Sequence, residues 1–368
     1  DHMALAEEIK AARKKIVTDG YEMSLGELLN LYRDQELIID PIFQRLFRWE
    51  DERKTRFIES LILGIPIPPI FVSQDENGVW ELIDGLQRLS TVLQLTGDLR
   101  TDNDDLNEKA WLFIPVCVIN GKRWTESAPQ AGDGLGQALQ IEIKRSRIRI
   151  EILKGESDVE AKFELFQRLN TGGASLTEQE VRNSIAVSIN RAFHDWLIAK
   201  SAVESFVTTT CQTDKAKESQ AGVELALRFF AFRNVPYVAG LDVHEYLDEA
   251  LLRIATDDQF DMEAEGEIFE DTFQFLDDAL GDAAFKRWNG QGFAGKFLMS
   301  VFEVMATGVS ENVLALKAMD AEDRRLFICE AAKDLWQNEI FQQNSGAGVR
   351  GTTRLSRLLP IAADLLRP

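Results

Sequence analysis

Residues 79–95 of this chain read VWELIDGLQRLSTVLQL, and the predicted fold is organised around them. The first part has the β-branched and aromatic content of a strand, Asp84-Gly85 is a turn-forming pair, and the following residues have the apolar spacing of a helix. Free N–H groups at a helix start attract anions, so one interpretation is a phosphate site with Arg88 and Thr91 in the first turns. In the other, Asp84 caps the helix and Arg88 pairs with a carboxylate.

The neighbouring patterns place this turn in a mixed α+β domain. Asn77-Gly78 predicts a β-hairpin that leads into Asp84, residues 50–63 have the spacing of an amphipathic helix, and residues 147–152 alternate with a period of two. From about Arg191 onward amphipathic helical segments recur. We therefore predict an α+β domain with a small mixed sheet over residues 1–190 and a mostly helical domain over residues 191–368.

Charge and composition restrict the function classes. With 61 acidic and 41 basic residues the formal net charge is −20, which argues against a protein that coats nucleic acid. The three cysteines lie far apart and no histidine pair has ligand spacing, so zinc chemistry and a Cys-His or Ser-His relay are not expected. No apolar run reaches the roughly 20 residues of a membrane span. A cytoplasmic protein without a membrane partner is the expectation.

Basic residues are nevertheless clustered. One cluster surrounds an arginine-and-aromatic loop at 41–49, a second lies at 144–149, and a third, in a Gly/Ser/Thr-rich region near the end, is a second candidate anion-facing loop. Concentrated basic islands suit a nucleotide or a restricted DNA contact, although pairing with the abundant carboxylates explains many such charges. The residues predicted to contact DNA are Arg48, Arg53, Lys144 and Arg145.

Four motifs together resemble a known family. The chain contains FQR at 43–45 with Trp49 downstream, LGIPIPP at 63–69, DGLQR at 84–88 and FQRLN at 166–170 before Gly172-Gly173. In this order they resemble the GmrSD-type restriction-system N-terminal domain, a ParB/sulfiredoxin-like family, over roughly the first 190 residues. The resemblance implies binding and hydrolysis of a nucleoside triphosphate with Mg²⁺, in prokaryotic defence against foreign DNA.

The family's Asp-Gly-Gln-Gln-Arg signature falls on residues 84–88, where Leu86 replaces its first glutamine. The resemblance implies catalytic roles for Asp84, Gln87 and Arg88, with Asp84 also the metal ligand. It implies nucleotide contacts from Gln44, Arg45, Gly85, Thr91 and Asn170, although Asn170 could equally end its helix in a left-handed conformation. If the missing glutamine contacts the nucleotide, hydrolysis is weak in this chain.

Three functions are compatible with these patterns. The leading one is a nucleotide-binding defence module that acts with a separately encoded nuclease effector, because this chain carries no His-Asn metal-finger nuclease pattern. The second is a non-catalytic adaptor that recognises foreign or modified DNA through the basic clusters. The third, a metal-dependent DNA-nicking enzyme, ranks last because no paired acidic motif indicates a two-metal site.

Overall fold

Five strands build a mixed sheet in the first part of the chain. They are β1 (Thr18–Ser24), β2 (Leu37–Ile38), β3 (Ile70–Gln74), β4 (Trp80–Asp84) and β5 (Arg147–Lys154), in the spatial order β1-β5-β3-β4-β2. β1 is antiparallel to β5, β5 parallel to β3, β3 antiparallel to β4, and β4 parallel to β2. The computed structural model describes residues 18–39, 49–100, 121–154, 165, 169, 178–212 and 220–368.

Local sequence explains the two central features of this sheet. In β5, Ile148, Ile150 and Ile152 are buried, while Arg147 and Arg149 alternate with them toward solvent. The β3–β4 hairpin turns at residues 75–78, where the Asp75 side chain accepts the N–H groups of residues 77 and 79 at 2.9 and 2.8 Å. The predicted period-two strand and the predicted hairpin are both confirmed.

Four helices belong to the same unit: α1 (Leu25–Arg33), α2 (Asp51–Ile62), α3 (Leu86–Thr96) and α4 (Gly136–Arg145). Ser24 caps α1 by accepting the Glu27 N–H at 3.2 Å. Gly85 and Gly97 bound α3, and both adopt the left-handed conformation that favours glycine. The helix of the predicted strand–turn–helix therefore begins at Leu86.

The second part of the chain is mostly helical. Its only described strands are the short pair β6 (Arg287–Trp288) and β7 (Phe293–Ala294). Phe229, Phe269 and Phe273 pack with centroids 5.1, 4.6 and 5.4 Å apart in its core. Its α-helices are α5 (Glu178–Ile189), α6 (Arg191–Ser201), α7 (Glu204–Thr209), α8 (Ala221–Asn234), α9 (Val243–Thr256), α10 (Met262–Leu280), α11 (Met299–Glu311), α12 (Val313–Ala318), α13 (Ala321–Asp334), α14 (Glu339–Asn344) and α15 (Gly351–Leu365).

The two compact units are Asp1–Ala174 and Ser175–Pro368, so the division lies before the predicted one at residue 190. The difference concerns α5, which packs among the helices of the second unit. Its Arg182 is 1% exposed and donates to Asp248 on α9 at 2.6 Å and to Glu224 on α8 at 3.4 Å. A buried arginine requires such partners, and both of these lie on helices of the second unit.

The α+β class, the small mixed sheet and the helical second part are confirmed. The ParB/sulfiredoxin-like fold stays a prediction. None of the described helices combines the length and the apolar character that crossing a membrane requires.

Candidate functional site

The turn between β4 and α3 requires a glycine. Gly85 has φ of 101°, and a Cβ atom at this position would lie 2.8 Å from Ile70 Cγ1 on β3. Both the backbone conformation and this close approach exclude larger residues without strain. Gly85 therefore sets the position of the first turn of α3 against the sheet.

The start of α3 is not capped by Asp84. Gly85 is the N-cap residue, and no side chain among the described residues accepts a hydrogen bond at this cap. The interpretation of Asp84 as a helix cap was wrong. The other half of that interpretation is observed, because Arg88 Nη2 donates to Asp84 Oδ2 at 3.2 Å, one helical turn away.

Arg88 is largely committed to contacts within the unit. Its Nη1 donates to the carbonyl oxygens of Pro68 and, at 3.1 Å, Pro69, and only 13% of the side chain is exposed. Burial lowers the pKa of Arg88, and the neighbouring Asp84 charge acts in the opposite direction. Two of the five guanidinium N–H groups have no partner among the described residues. Arg88, which the sequence predicted to bind phosphate, thus mainly anchors the loop before β3.

Gln87 joins the turn to a segment far away in sequence. Its Oε1 accepts the backbone N–H of Trp49 at 3.1 Å. The Trp49 ring lies 5.6 Å from the Phe57 ring, and the Arg53 guanidinium carbon lies 4.9 Å from the Trp49 centroid. Because β2 runs parallel to β4, Ile39 leaves the sheet at the edge where Asp84 also lies. The residues that flank 40–48 on either side thus belong to this region.

Three predicted site residues, Gln44, Arg45 and Arg48, lie in 40–48 and so outside the described residues, as does Asn170. Thr91 is described and is fully buried, with its hydroxyl donating to Gln87 O at 2.7 Å. It is a packing residue of α3 in this structure, so we remove it from the candidate nucleotide contacts.

Leu86 is also buried, at 7% exposed. The position where this chain departs from the family signature therefore packs inward and presents no group to the exposed side of the turn. Leu86 would affect a ligand only through the packing of α3. The periodicity of the sequence did not indicate that this residue is buried.

The predicted DNA contacts occupy two places in the first unit. Arg53 lies in the first turn of α2, whereas Lys144 and Arg145 end α4 near the other end of α2, where Ser146 Oγ donates to Leu61 O at 3.3 Å. Arg53 and Leu61 are eight positions apart on α2, which is roughly 12 Å along the helix axis. Arg145 also lines a cleft of about 440 Å³ that has Glu22 and Glu27 among its lining residues, and these two carboxylates weaken the positive potential of the cleft.

No group of three or more His, Cys, Asp or Glu side chains in the described parts of the chain could hold a metal ion. Asp84 therefore belongs to no such group among the described residues, and its side chain is 31% exposed. Mg²⁺ commonly takes one or two protein carboxylates and completes its shell with water and substrate phosphates. Asp84 fits a metal that arrives with a polyphosphate, and it does not fit an all-protein cage.

Two contributors to the site were missed by sequence reasoning: the Pro68–Pro69 carbonyl groups that hold Arg88 and the Trp49 backbone that holds Gln87. The i,i+4 spacing of Asp84 and Arg88 could have indicated their ion pair. Nothing local indicates the other contacts, because they join residues 19 to 38 positions apart.

The first unit is thus a mixed-sheet domain whose strand–glycine turn–helix carries Asp, Gln and Arg side chains. Residues 25–187 match the family described as GmrSD restriction endonuclease, N-terminal domain. This segment belongs to that family, as its four motifs predicted, and it is a restriction-system module. No curated protein and no solved structure matches the chain significantly.

Proposed function

We propose that the chain is the nucleotide-binding module of a restriction system, that it takes a nucleoside triphosphate at the turn 84–88, and that it acts with a separately encoded nuclease effector. The observation that carries this proposal is the hydrogen bond from Trp49 N–H to Gln87 Oε1. It joins the end of the arginine-and-aromatic motif to the DGLQR turn. Two motifs that the resemblance associates with one nucleotide therefore meet at one place.

The geometry distributes the proposed roles. The uncapped N–H groups at the start of α3 stabilise the negative charge of the nucleotide's phosphates, as helix starts do in many phosphate sites. Gln87 positions the chain at Trp49, and Arg88 positions the Pro68–Pro69 loop. For direct contact with phosphate we propose Arg45 and Gln44, as the resemblance to the family implies.

Asp84 is the proposed protein ligand of Mg²⁺. One of its oxygens accepts from Arg88, and the other has no hydrogen bond to a described residue. When bound with a triphosphate, Mg²⁺ neutralises phosphate charge and favours attack by water. Hydrolysis is the proposed reaction. The rate of hydrolysis in this chain depends on how well the turn 84–88 supports the reaction with a buried Leu86 in place of the family's glutamine.

The test is isothermal titration calorimetry of the full chain with ATP, GTP, CTP and UTP in the presence of Mg²⁺. Gln87→Ala removes the acceptor for Trp49, so we expect at least tenfold weaker binding, a loss of about 1.4 kcal/mol. Gln137→Ala is the matched control, because Gln137 is exposed on α4 in the same unit. Absence of binding to all four nucleotides, or unchanged affinity in Gln87→Ala, would contradict the proposal.

A DNA-binding adaptor is the second candidate, because Arg53, Lys144 and Arg145 are exposed and none has an ion pair with a described carboxylate. This function predicts DNA binding that weakens steeply with salt and does not respond to nucleotide. Substituting the three residues with glutamine should abolish it. DNA binding that requires a nucleoside triphosphate would instead favour the first candidate.

A further inference from the structure

Two long stretches of the second unit contain no acidic residue, although the chain has 61 of them. They are residues 283–302 and 340–363, and each carries three Lys or Arg side chains. Both stretches lie outside the family match at 25–187.

The first stretch forms a well-anchored β-hairpin. β6 and β7 pair, and the Asn289 side chain closes the turn by accepting the N–H groups of Gln291 and Gly292, each at 2.9 Å. At the base, Leu298 N donates to Phe285 O at 2.9 Å, and Phe285, 1% exposed, packs 5.1 Å from Phe302. The tip is therefore presented to solvent on a fixed base.

Two exposed cations belong to this hairpin. Arg287 and Lys296 form no ion pair with a carboxylate in the described part of the chain. The Arg287 guanidinium carbon lies 5.6 Å from the Trp336 ring centroid, and Trp336 lies 5.2 Å from Phe341 at the start of α14. The aromatic contacts fix the direction of Arg287 and leave its charge unneutralised.

The second acid-free stretch reaches the same region through the register of two helices. Glu303 on α11 pairs with Arg354 on α15 at 2.5 Å, and Asn312 donates to Ala363 O at 2.8 Å. Both contacts join residues 51 positions apart, so α11 and α15 run in parallel with a constant offset. The same offset places Arg350 level with Met299, immediately after the hairpin.

Two of the three arginines of the second stretch, Arg354 and Arg350, therefore differ in role. Arg354 is neutralised by Glu303, which is fully buried. Arg350 is exposed at the start of α15 and has no carboxylate partner among the described residues. We define the hairpin face as Arg287, Lys296 and Arg350.

We propose that the hairpin face binds the phosphate backbone of duplex DNA. Arg287 and Lys296 belong to the hairpin, a two-stranded element that a DNA groove can admit, and Arg350 adds a third unpaired cation from the start of α15. Nearby carboxylates of Asp282 and Glu330 are already paired with Lys286 and Lys333. Asp334 and Glu339 add negative charge beside Trp336. This charge repels DNA there, so it restricts the DNA contact to the hairpin side and keeps DNA binding sensitive to salt.

Charge decides in favour of DNA over an apolar partner. The hairpin face consists of cations, and the rings of Trp336 and Trp288 beside it are occupied by contacts within the unit. Three phosphate contacts predict a slope of about −2.7 in log affinity against log salt concentration. The contact is expected to be independent of base sequence, because cations directed at phosphates read no bases.

The experiment measures fluorescence anisotropy of a labelled duplex of about two helical turns, or about 20 base pairs, titrated with the full chain over a range of salt concentrations. The triple variant Arg287→Gln/Lys296→Gln/Arg350→Gln should bind at least tenfold more weakly at low salt and lose most of the salt dependence. Lys296→Gln alone should reduce the slope by about 0.9. Circular dichroism checks that the variants retain the helical content of the wild type.

Arg253→Gln is the matched control. Arg253 is an exposed cation near the end of α9, without a carboxylate partner among the described residues, and about 15 Å along that helix from Val243, which adjoins Gly351. Its substitution should leave DNA affinity unchanged.

Four results would overturn the proposal. They are no duplex binding by the wild type at low salt, wild-type affinity in the triple variant, an equal loss in Arg253→Gln, and competition by polyglutamate as effective as unlabelled duplex. The last would assign the face to an acidic protein. Loss of DNA binding only on substitution of Arg53, Lys144 and Arg145 would place the contact in the first unit. Nucleotide titration does not enter this test, so it stands apart from the function proposed for the turn.

Discussion

Replacement of Arg88 separates an anchor from a direct phosphate ligand. Arg88→Ala removes hydrogen bonds to Pro68 O, Pro69 O and Asp84. A hydrogen bond that involves a charged group contributes about 1.5–3 kcal/mol, but such values do not add fully, and the exposed Pro68 carbonyl can regain water. We therefore expect the free energy of unfolding of the first unit to fall by about 2–4 kcal/mol.

Urea denaturation is the assay. With a slope of about 2 kcal/mol/M, the expected loss moves the midpoint of the first unit by about 1–2 M. Arg56→Ala is the control, because Arg56 is 68% exposed and its one ion pair with a described residue is to Glu52 one turn away, a contact expected to contribute about 0.3–0.5 kcal/mol. Arg88→Lys should be intermediate, since an ammonium group cannot reproduce the planar fork that serves two carbonyls and a carboxylate.

The same variants are then titrated with nucleotide under conditions in which they remain folded. An anchor predicts reduced affinity in both Arg88→Ala and Arg88→Lys, in parallel with faster amide exchange in the strand after Pro69. Wild-type stability in Arg88→Ala combined with lost nucleotide binding would refute the anchor role and make Arg88 a direct ligand.

Two further predictions concern backbone conformation and pH. Gly85→Ala should destabilise the protein by about 2–3 kcal/mol in urea denaturation, because Gly85 has positive φ and the new methyl would meet Ile70; Gly78→Ala, with positive φ but open space, should cost only about 1 kcal/mol. Burial raises the pKa of Glu265, but its hydrogen bond from Arg233 and other contacts outweigh this, so the pKa lies below its ordinary 4.5. The stabilisation from the ionised Glu265 is present above pH 4.5 and is lost as the pH falls through the lowered pKa. Thermal unfolding should therefore show that Glu265→Gln loses less stability than the wild type as the pH falls over that range.

Local patterns predicted much of the first unit correctly. The alternation of Ile148, Ile150 and Ile152 with arginines predicted β5, Asn77-Gly78 predicted the β3–β4 hairpin, and Asp84-Gly85 predicted the turn. Each pattern lies within a few residues of the structure it predicts. Strand period, turn conformation and helix start are decided mainly by neighbouring residues, so they can be recognised before the chain is folded.

The contacts of the candidate site could not be predicted from local patterns. The spacing that put Thr91 in the early turns of α3 gave no indication that its side chain faces the core, and Arg88 was predicted to hold phosphate before its carbonyl partners were known. The second unit gives the same lesson, since Arg350 and Arg354 lie one turn apart yet only Arg354 meets a buried carboxylate.

The sequence by itself determined the elements of the first unit, its family, the helical character of the second part and the uneven distribution of charge. Tertiary structure decided that Gln87 holds Trp49, that Arg88 holds the Pro68–Pro69 loop, and that the hairpin and Arg350 lie at one end of two parallel helices. The physical reason is range. Periodicity and turn chemistry act between neighbours, whereas the partner of a buried charge or amide depends on how separate elements pack, and no local pattern records that packing.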